Sequence, residues 1–565
     1  MKKILAIFLY LIFWLTFFQI LRLFFIVYHL KKFAGIPIIE ITKVLPYSLR
    51  LDISAVCYIF AVIFFLLILG EFIKKKFTTN IITYYSYLWI IIISLIAVVD
   101  VQIYKEWGSK INSEAFSFFN TPNEIISSII SSPVILLLIL FILFSALGII
   151  LYSSVFKLSQ RFIIQEQRDT LLIRVIKLVF FYCLLFVLLV IGARGGIQLA
   201  PMNTSFAYFS IHEILNNSTI NPTWNLSYSI LEQPKNRSYY LRFNTDELDL
   251  LLIDYQPIAT ENTISIFNKT DKPNVVLVII ESFTADIIES LGGLPNVTPN
   301  LDSLIKHGLS FENFYASGNR TFKSLPAILN GYPSLPADRV IKYRYIYKNF
   351  PSLAHTLNKY GYFSSFYYGG ESEFANMRAL ITESGYNLLI DQRNFKDVEK
   401  NSKWGAHDHV VFDRVLNDID SFETPFFTTI LTLSNHEPFE VPTEPVFKGE
   451  KDQKVMLFKN TAAYTDMSIG DFIRKASTKT WYNNTIFIFT ADHGHSYAKN
   501  RINKKNPEMF HIPLVIYSNL LADEYRGRKI TKYSSQVDIA ALLFSQLKFD
   551  YSDFIWSKNV LDAAQ

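Results

Sequence analysis

The sequence predicts two parts: an α-helical membrane domain of about five transmembrane helices, then an extracytoplasmic α/β domain on a mainly parallel sheet. Three observations carry this. Long uncharged apolar runs recur between Ile4 and Ile191 and do not recur after it. From Pro273 onward, strand-like apolar runs alternate with helical patterns, which is how parallel α/β sheets read. Four of those runs stop abruptly at polar residues of the kind that hold ions or substrates. A chain of 565 residues also exceeds what one core organises.

Five runs reach the ~20 residues that cross a bilayer as a helix. They are Ile4–Leu30, Ile53–Ile73, Ile81–Tyr104, Val134–Phe156 and Val175–Ile191. The first is too long for a cleaved leader, and no small-residue cleavage site follows it. Lys2 and Lys3, Lys74 to Lys76, and Lys157, Arg161, Arg168, Arg174 and Lys177 fall on one side of an odd number of spans. By the positive-inside rule that side is the cytoplasm, which puts the C-terminal part outside the cytoplasmic membrane. Arg22 and Asp100 are the main charges in or near the spans. The loop from Lys105 to Pro133 carries Phe116, Phe118, Phe119, Ile125, Ile126, Ile129 and Ile130. It suits either an interfacial amphipathic helix or packing on neighbouring spans.

The expected boundaries are 1–197 for the membrane domain, 198–272 for a connector wrapping the soluble domain, and 273–565 for the α/β domain. Cys57 and Cys183 are the only cysteines and both lie in apolar runs. The soluble part therefore has no disulfide, no thiolate-held zinc and no thiol nucleophile. The net charge of +5 is scattered, with no basic stripe for nucleic acid.

In Asn274–Ile280, Val275–Ile280 is an unbroken apolar run that ends at Glu281, as expected of a central strand buried on both faces. Ligands bind outside the carboxyl ends of such strands, so Glu281 is either a ligand there or a cap for the next helix. Phe363–Tyr368 ends at Gly369-Gly370-Glu371, Phe426–Leu433 at Ser434-Asn435-His436, and Thr485–Thr490 at Ala491-Asp492-His493-Gly494. Carboxylates and imidazoles gathered on one sheet edge point to a metal site, and oxygen ligands with one His suit Mn²⁺, Mg²⁺ or Zn²⁺. Gly494 would allow a sharp turn after the Asp492-His493 pair. In Ser317-Gly-Asn-Arg-Thr321-Phe-Lys-Ser324, Thr321 opens a helix. There it is either the cap or a nucleophile at the positive end of the helix dipole, where backbone N–H groups hold phosphate oxygens. Ser324 is its rival.

Glu281 within Ile279-Ile-Glu-Ser-Phe283, Thr298–Leu304, the Gly-Asn-Arg-Thr321 loop, Ser434-Asn-His436-Glu-Pro-Phe439 and Thr490-Ala-Asp-His-Gly494 together resemble the lipoteichoic acid synthase branch of the sulfatase/alkaline phosphatase superfamily. The resemblance implies a sulfatase-like fold and a membrane-bound phosphoglycerol transferase. Glu281, Thr321, Asp492 and His493 would hold one divalent ion, commonly Mn²⁺. Thr321 would attack phosphatidylglycerol, diacylglycerol would leave, and an acceptor hydroxyl would take the phosphoglycerol. His436 would assist proton transfer or contact phosphate. The family's Trp-Asn-Arg run and a His after the Phe363–Tyr368 strand are replaced here by Phe374-Ala-Asn376-Met-Arg378. Asn376 and Arg378 are the remaining substrate-contact candidates, Arg378 otherwise forming a surface salt bridge. The acceptor stays open among polyglycerolphosphate, a periplasmic glucan and a glycolipid. Competing readings are a phosphoethanolamine transferase, a phosphodiesterase, and an inactive membrane scaffold. Related phosphoethanolamine transferases usually carry cysteines in the soluble domain, and this one has none.

Overall fold

The computed structural model describes residues 2–73, 75–113, 115–116, 133–160, 171–232, 247, 263–268, 272–335, 339–423, 425–498 and 506–562. The chain divides into two compact units, Met1–Lys235 and Asn236–Gln565.

In the first unit five helices are long and apolar enough to cross a membrane: Ile4–Tyr28, Ile38–Leu69, Lys76–Trp107, Val134–Lys157 and Val175–Arg194. The second starts well before the expected Ile53. Glu40, Lys43, Arg50, Asp52 and Pro46 make Ile38–Asp52 look like a loop, yet the helix runs through all of them. Asp52 is tolerated because Arg22 of the first helix meets it with both terminal nitrogens, at 2.7 and 2.8 Å. Asn221 Nδ2 and Gln19 Nε2 also donate to Asp52, at 2.8 and 2.9 Å. Asp100 pairs in the same way with Lys110, whose ammonium sits 3.7 Å over the Phe25 ring.

The network extends into the first part of the expected connector. Asn221 caps the helix Pro222–Leu231 by accepting from Trp224 N. Trp224 Nε1 reaches Ser54 Oγ at 3.1 Å, and Arg22 Nε reaches the Ser218 carbonyl at 2.9 Å. Within the first unit, residues 204–231 therefore pack on the apolar helices, and Asn221 and the Ser218 carbonyl complete the buried ion pair. Thr263 and Phe267 do pair with the α/β unit, at Asp562 and Leu521. The rest of 233–262, apart from 247, and the Phe118–Ile130 part of the expected amphipathic loop lie outside the described residues. Breaking a buried ion pair strands a charge, so Asp52→Ala should destabilise the helical unit by about 3–5 kcal/mol. Arg22→Met with Asp52→Leu should recover most of that in detergent unfolding.

The second unit holds an eight-stranded sheet in the order β5-β4-β6-β1-β7-β8-β2-β9. The strands are β1 Asn274–Ile280, β2 Leu309–Phe311, β4 Phe363–Tyr368, β5 Leu388–Ile390, β6 Phe426–Leu431, β7 Thr485–Ala491, β8 Leu514–Tyr517 and β9 Lys529–Ile530. The short β3, Phe314–Tyr315, pairs separately with β10, Ser534–Ser535. Only β8 runs antiparallel to its neighbours. All seven residues of β1 are buried, which is why its sequence is apolar without alternation. Register does the rest. Ile280 lies opposite Ala491, and Ile279 opposite both Thr490 and Leu431. The residues after β1, β6 and β7 thus emerge side by side at one edge.

Candidate active site

Glu281 and Asp492 are the next residues on two paired strands, so the sheet itself sets their carboxylates together. Glu281, Asp492 and His493 each present one ligand atom, all within 4.8 Å of one another, and all three are buried. His493 Nε2 lies 3.7 Å from Glu281 Oε1 and 3.5 Å from Asp492 Oδ2. His493 Nδ1 is 2.9 Å from the Gly494 carbonyl, which can only accept. The proton is therefore on Nδ1, and Nε2 turns its lone pair toward the carboxylates, as in a metal-ligating histidine.

The left-handed backbone of the site falls after β1, at Ser282, and Gly494 has no left-handed φ. Ser282 has a φ of 54°, the left-handed region. That conformation brings its N–H to Asp492 Oδ1 at 2.7 Å and its hydroxyl to Glu281 Oε1 at 2.8 Å. Gly494 has a different reason. A Cβ there would stand 2.1 Å from the Met509 carbonyl oxygen. Asn435 Nδ2 donates to the Glu281 and Ser282 carbonyls at 3.2 and 3.3 Å. Gln536 Nε2 donates to the Asp492 carbonyl at 2.6 Å, while its Oε1 accepts from Ser317 N at 2.8 Å. One glutamine thereby links the β7 end to the loop that leads to Thr321.

Thr321 is the first residue of the helix Thr321–Asn330, and Arg320, at the cap position, makes no side-chain cap. The Thr321 hydroxyl does not cap the helix. It donates to Glu281 Oε2 at 3.2 Å. Ser324 is fully buried three residues on, its hydroxyl without a partner in the described structure.

The residues present fit a divalent cation. Asp492 Oδ2 is a buried acceptor with no hydrogen-bond partner. Burial, and then the Asp492 charge, raises the pKa of Glu281 well above the ordinary carboxylate range. Two facing buried carboxylates, one with an orphaned oxygen, and one imidazole lone pair are the donor set that a hard or borderline divalent ion satisfies.

The other candidates do not join this cluster. Arg378 is buried, 2.5 Å from Asp391 and 3.3 Å from Glu373. Arg393 joins the same two carboxylates at 3.1 and 2.8 Å. Arg378 is thus neither a surface salt bridge nor a free phosphate contact: its charge is matched where it stands. Asn376 is buried with φ 65°, following Ala375 at φ 52°. It serves a left-handed turn, which Asn tolerates better than most residues. His436 follows Asn435 at the same edge, but its ring packs on Trp404 with centroids 4.4 Å apart. Its Nδ1 donates to the Glu437 carbonyl at 3.0 Å. Ser282 and Asn435 sit inside motifs visible in the sequence, without a signal of their role. Gln536 has no local signal at all.

Residues 273–549 match the sulfatase family model. A Bacillus subtilis protein described as lipoteichoic acid synthase-like YvgJ is 25% identical over 293 residues, covering 48% of this chain and 47% of that protein. Lipoteichoic acid synthase 2 of the same organism is 26% identical over 313 residues, covering 52% and 47%. The chain matches about half the length of these curated relatives. A crystal structure of an alkaline phosphatase superfamily protein from Vibrio parahaemolyticus superimposes with a TM-score of 0.50 at 27% identity, covering 57% of this chain and 79% of that one.

Proposed function

We propose that the sulfatase-family domain of residues 273–549, carried on a multi-pass helical unit, moves the phosphoglycerol headgroup of phosphatidylglycerol to an acceptor hydroxyl outside the cytoplasm. The acceptor would be a glycan, a glycolipid or a polyglycerolphosphate chain. The observation that carries this reading is the Thr321 hydroxyl, at a helix start and hydrogen-bonded to the Glu281 carboxylate of the buried cluster. Relatives named as lipoteichoic acid synthases support the phosphoglycerol class.

Glu281, Asp492 and His493, with Thr321 beside them, would hold one divalent ion, Mn²⁺ ahead of Zn²⁺ or Mg²⁺. When bound, that ion offsets charge on the phosphoryl oxygens and lowers the pKa of the threonine hydroxyl. Glu281 Oε2 holds the hydroxyl proton of Thr321. Thr321 Oγ1 then forms a bond to phosphorus while the bond to the diacylglycerol oxygen breaks. His436 gives that oxygen its proton, and N–H groups of the first helical turn hold phosphate oxygens. In the second half the acceptor hydroxyl gives its proton to His436, its oxygen bonds to phosphorus as the bond to Thr321 Oγ1 breaks, and Thr321 takes its proton back from Glu281. Two displacements replace one difficult step.

Full-length protein in bilayers should be given phosphatidylglycerol and phosphatidylethanolamine with distinguishable labels, and both products identified by mass. The reading predicts diacylglycerol and a phosphoglycerol-bearing acceptor from phosphatidylglycerol. Release from phosphatidylethanolamine alone would make it a phosphoethanolamine transferase, free glycerol phosphate as sole product a hydrolase, and no release a scaffold.

A further inference from the structure

Tyr368 is the last residue of β4, opposite Leu431 of β6, which in turn lies opposite Ile279 of β1. The register sets it at the same sheet edge as Glu281. It is only 8% exposed. Other buried tyrosines of this sheet and its surroundings have partners for their hydroxyls. Tyr367 donates to Asp418 at 3.0 Å, Tyr362 to the Pro273 carbonyl at 2.9 Å, and Tyr386 pairs with Thr429 at 2.7 Å. The Tyr368 hydroxyl has no such partner among the described residues.

The ring is nonetheless held in place. It lies against Gly370, where a Cβ would come within 2.8 Å of the phenol oxygen and 2.7 Å of Cζ. Glycine at 370 leaves the room this ring occupies. Burial, and then the Glu281 carboxylate, raises the pKa of this phenol. A phenol in that setting keeps its proton and is a donor, not a base. The ring is buried but its oxygen is not sealed off, so an unpaired hydroxyl at the sheet edge that carries Glu281 is open to a bound group.

We propose that Tyr368 is a further catalytic residue of this site, its O–H donating a hydrogen bond to an oxygen of the phosphoryl group as it passes between donor and Thr321. The proposal rests on the phosphotransfer reading above. The donor role is electrostatic: it stabilises charge that grows on oxygen as the bond to phosphorus rearranges.

Tyr368→Phe keeps the ring and removes only the hydroxyl. In the full-length Mn²⁺-loaded protein, kcat for headgroup release should fall by about 10²-fold, the loss typical of one such donor. Mn²⁺ affinity and thermal stability should be unchanged. Inorganic phosphate should bind the loaded variant about tenfold more weakly than it binds wild type, as expected for a hydrogen bond to a charged group. Unchanged kcat and phosphate affinity would overturn the proposal. So would a loss of activity matched by a loss of Mn²⁺ affinity, which would mark a packing role. If wild type releases no headgroup from any lipid, the phosphoglycerol reading fails, and the phosphate affinities still decide whether Tyr368 is an anion donor.

Discussion

Thr321→Ala is expected to reduce headgroup release from phosphatidylglycerol by about 10⁴-fold or more, the range seen when a nucleophile is removed and only binding and electrostatic stabilisation remain. The same variant should still bind Mn²⁺, more weakly than wild type, because Glu281, Asp492 and His493 remain in place. Thr321 contributes a single 3.2 Å hydrogen bond to this cluster and caps nothing, so its loss should leave unfolding of the α/β unit almost unaltered. Metal titration, unfolding and release assays on one preparation separate these effects. Loss of all three together would show that Thr321 is structural.

The second large effect is on stability. An ion that binds the folded α/β unit and not the unfolded chain should stabilise it by about 4 kcal/mol at a thousandfold excess over its Kd. Asp492→Asn should remove that gain. Metal-free protein should also depend on pH in a fixed direction. The pKa of Glu281 is raised from 4.5 to about 8, by burial first and then by Asp492. The folded protein therefore keeps a proton that the unfolded chain releases. Stability present below pH 4.5 is lost as pH rises through that window. Glu281→Gln has no such proton to lose and should flatten the slope. Unfolding curves at several pH values, with and without Mn²⁺, test both statements.

Much of the α/β part is legible in the sequence because its signals are local. A run of apolar residues ending at Glu281 reads as a buried strand with its ligand at the carboxyl end. Asp492-His493 repeats the pattern on a second strand, and the sheet register then places the two ends together. The features that stay hidden depend on contacts remote in sequence. Arg22 and Asp52 each look like an interruption of an apolar run, and only their pairing explains a second helix that starts at Ile38. Arg378 looks like an available cation because Asp391 and Glu373 carry no mark of being its partners. Gly494 draws the eye as a turn, while the left-handed residue of the site is Ser282, after a different strand, since glycine advertises such a backbone and serine does not. The open hydroxyl of Tyr368 is a negative feature, visible only when every neighbouring tyrosine is seen to be satisfied.

The central claim is that Thr321 carries the headgroup covalently between donor and acceptor. It is tested most directly by peptide mass spectrometry of Mn²⁺-loaded protein quenched during turnover on phosphatidylglycerol without acceptor. The account predicts a glycerophosphoryl group on the peptide that contains Thr321, absent from Thr321→Ala. Turnover at full rate with that peptide unmodified, or with the group on Ser324 or another residue, would contradict it.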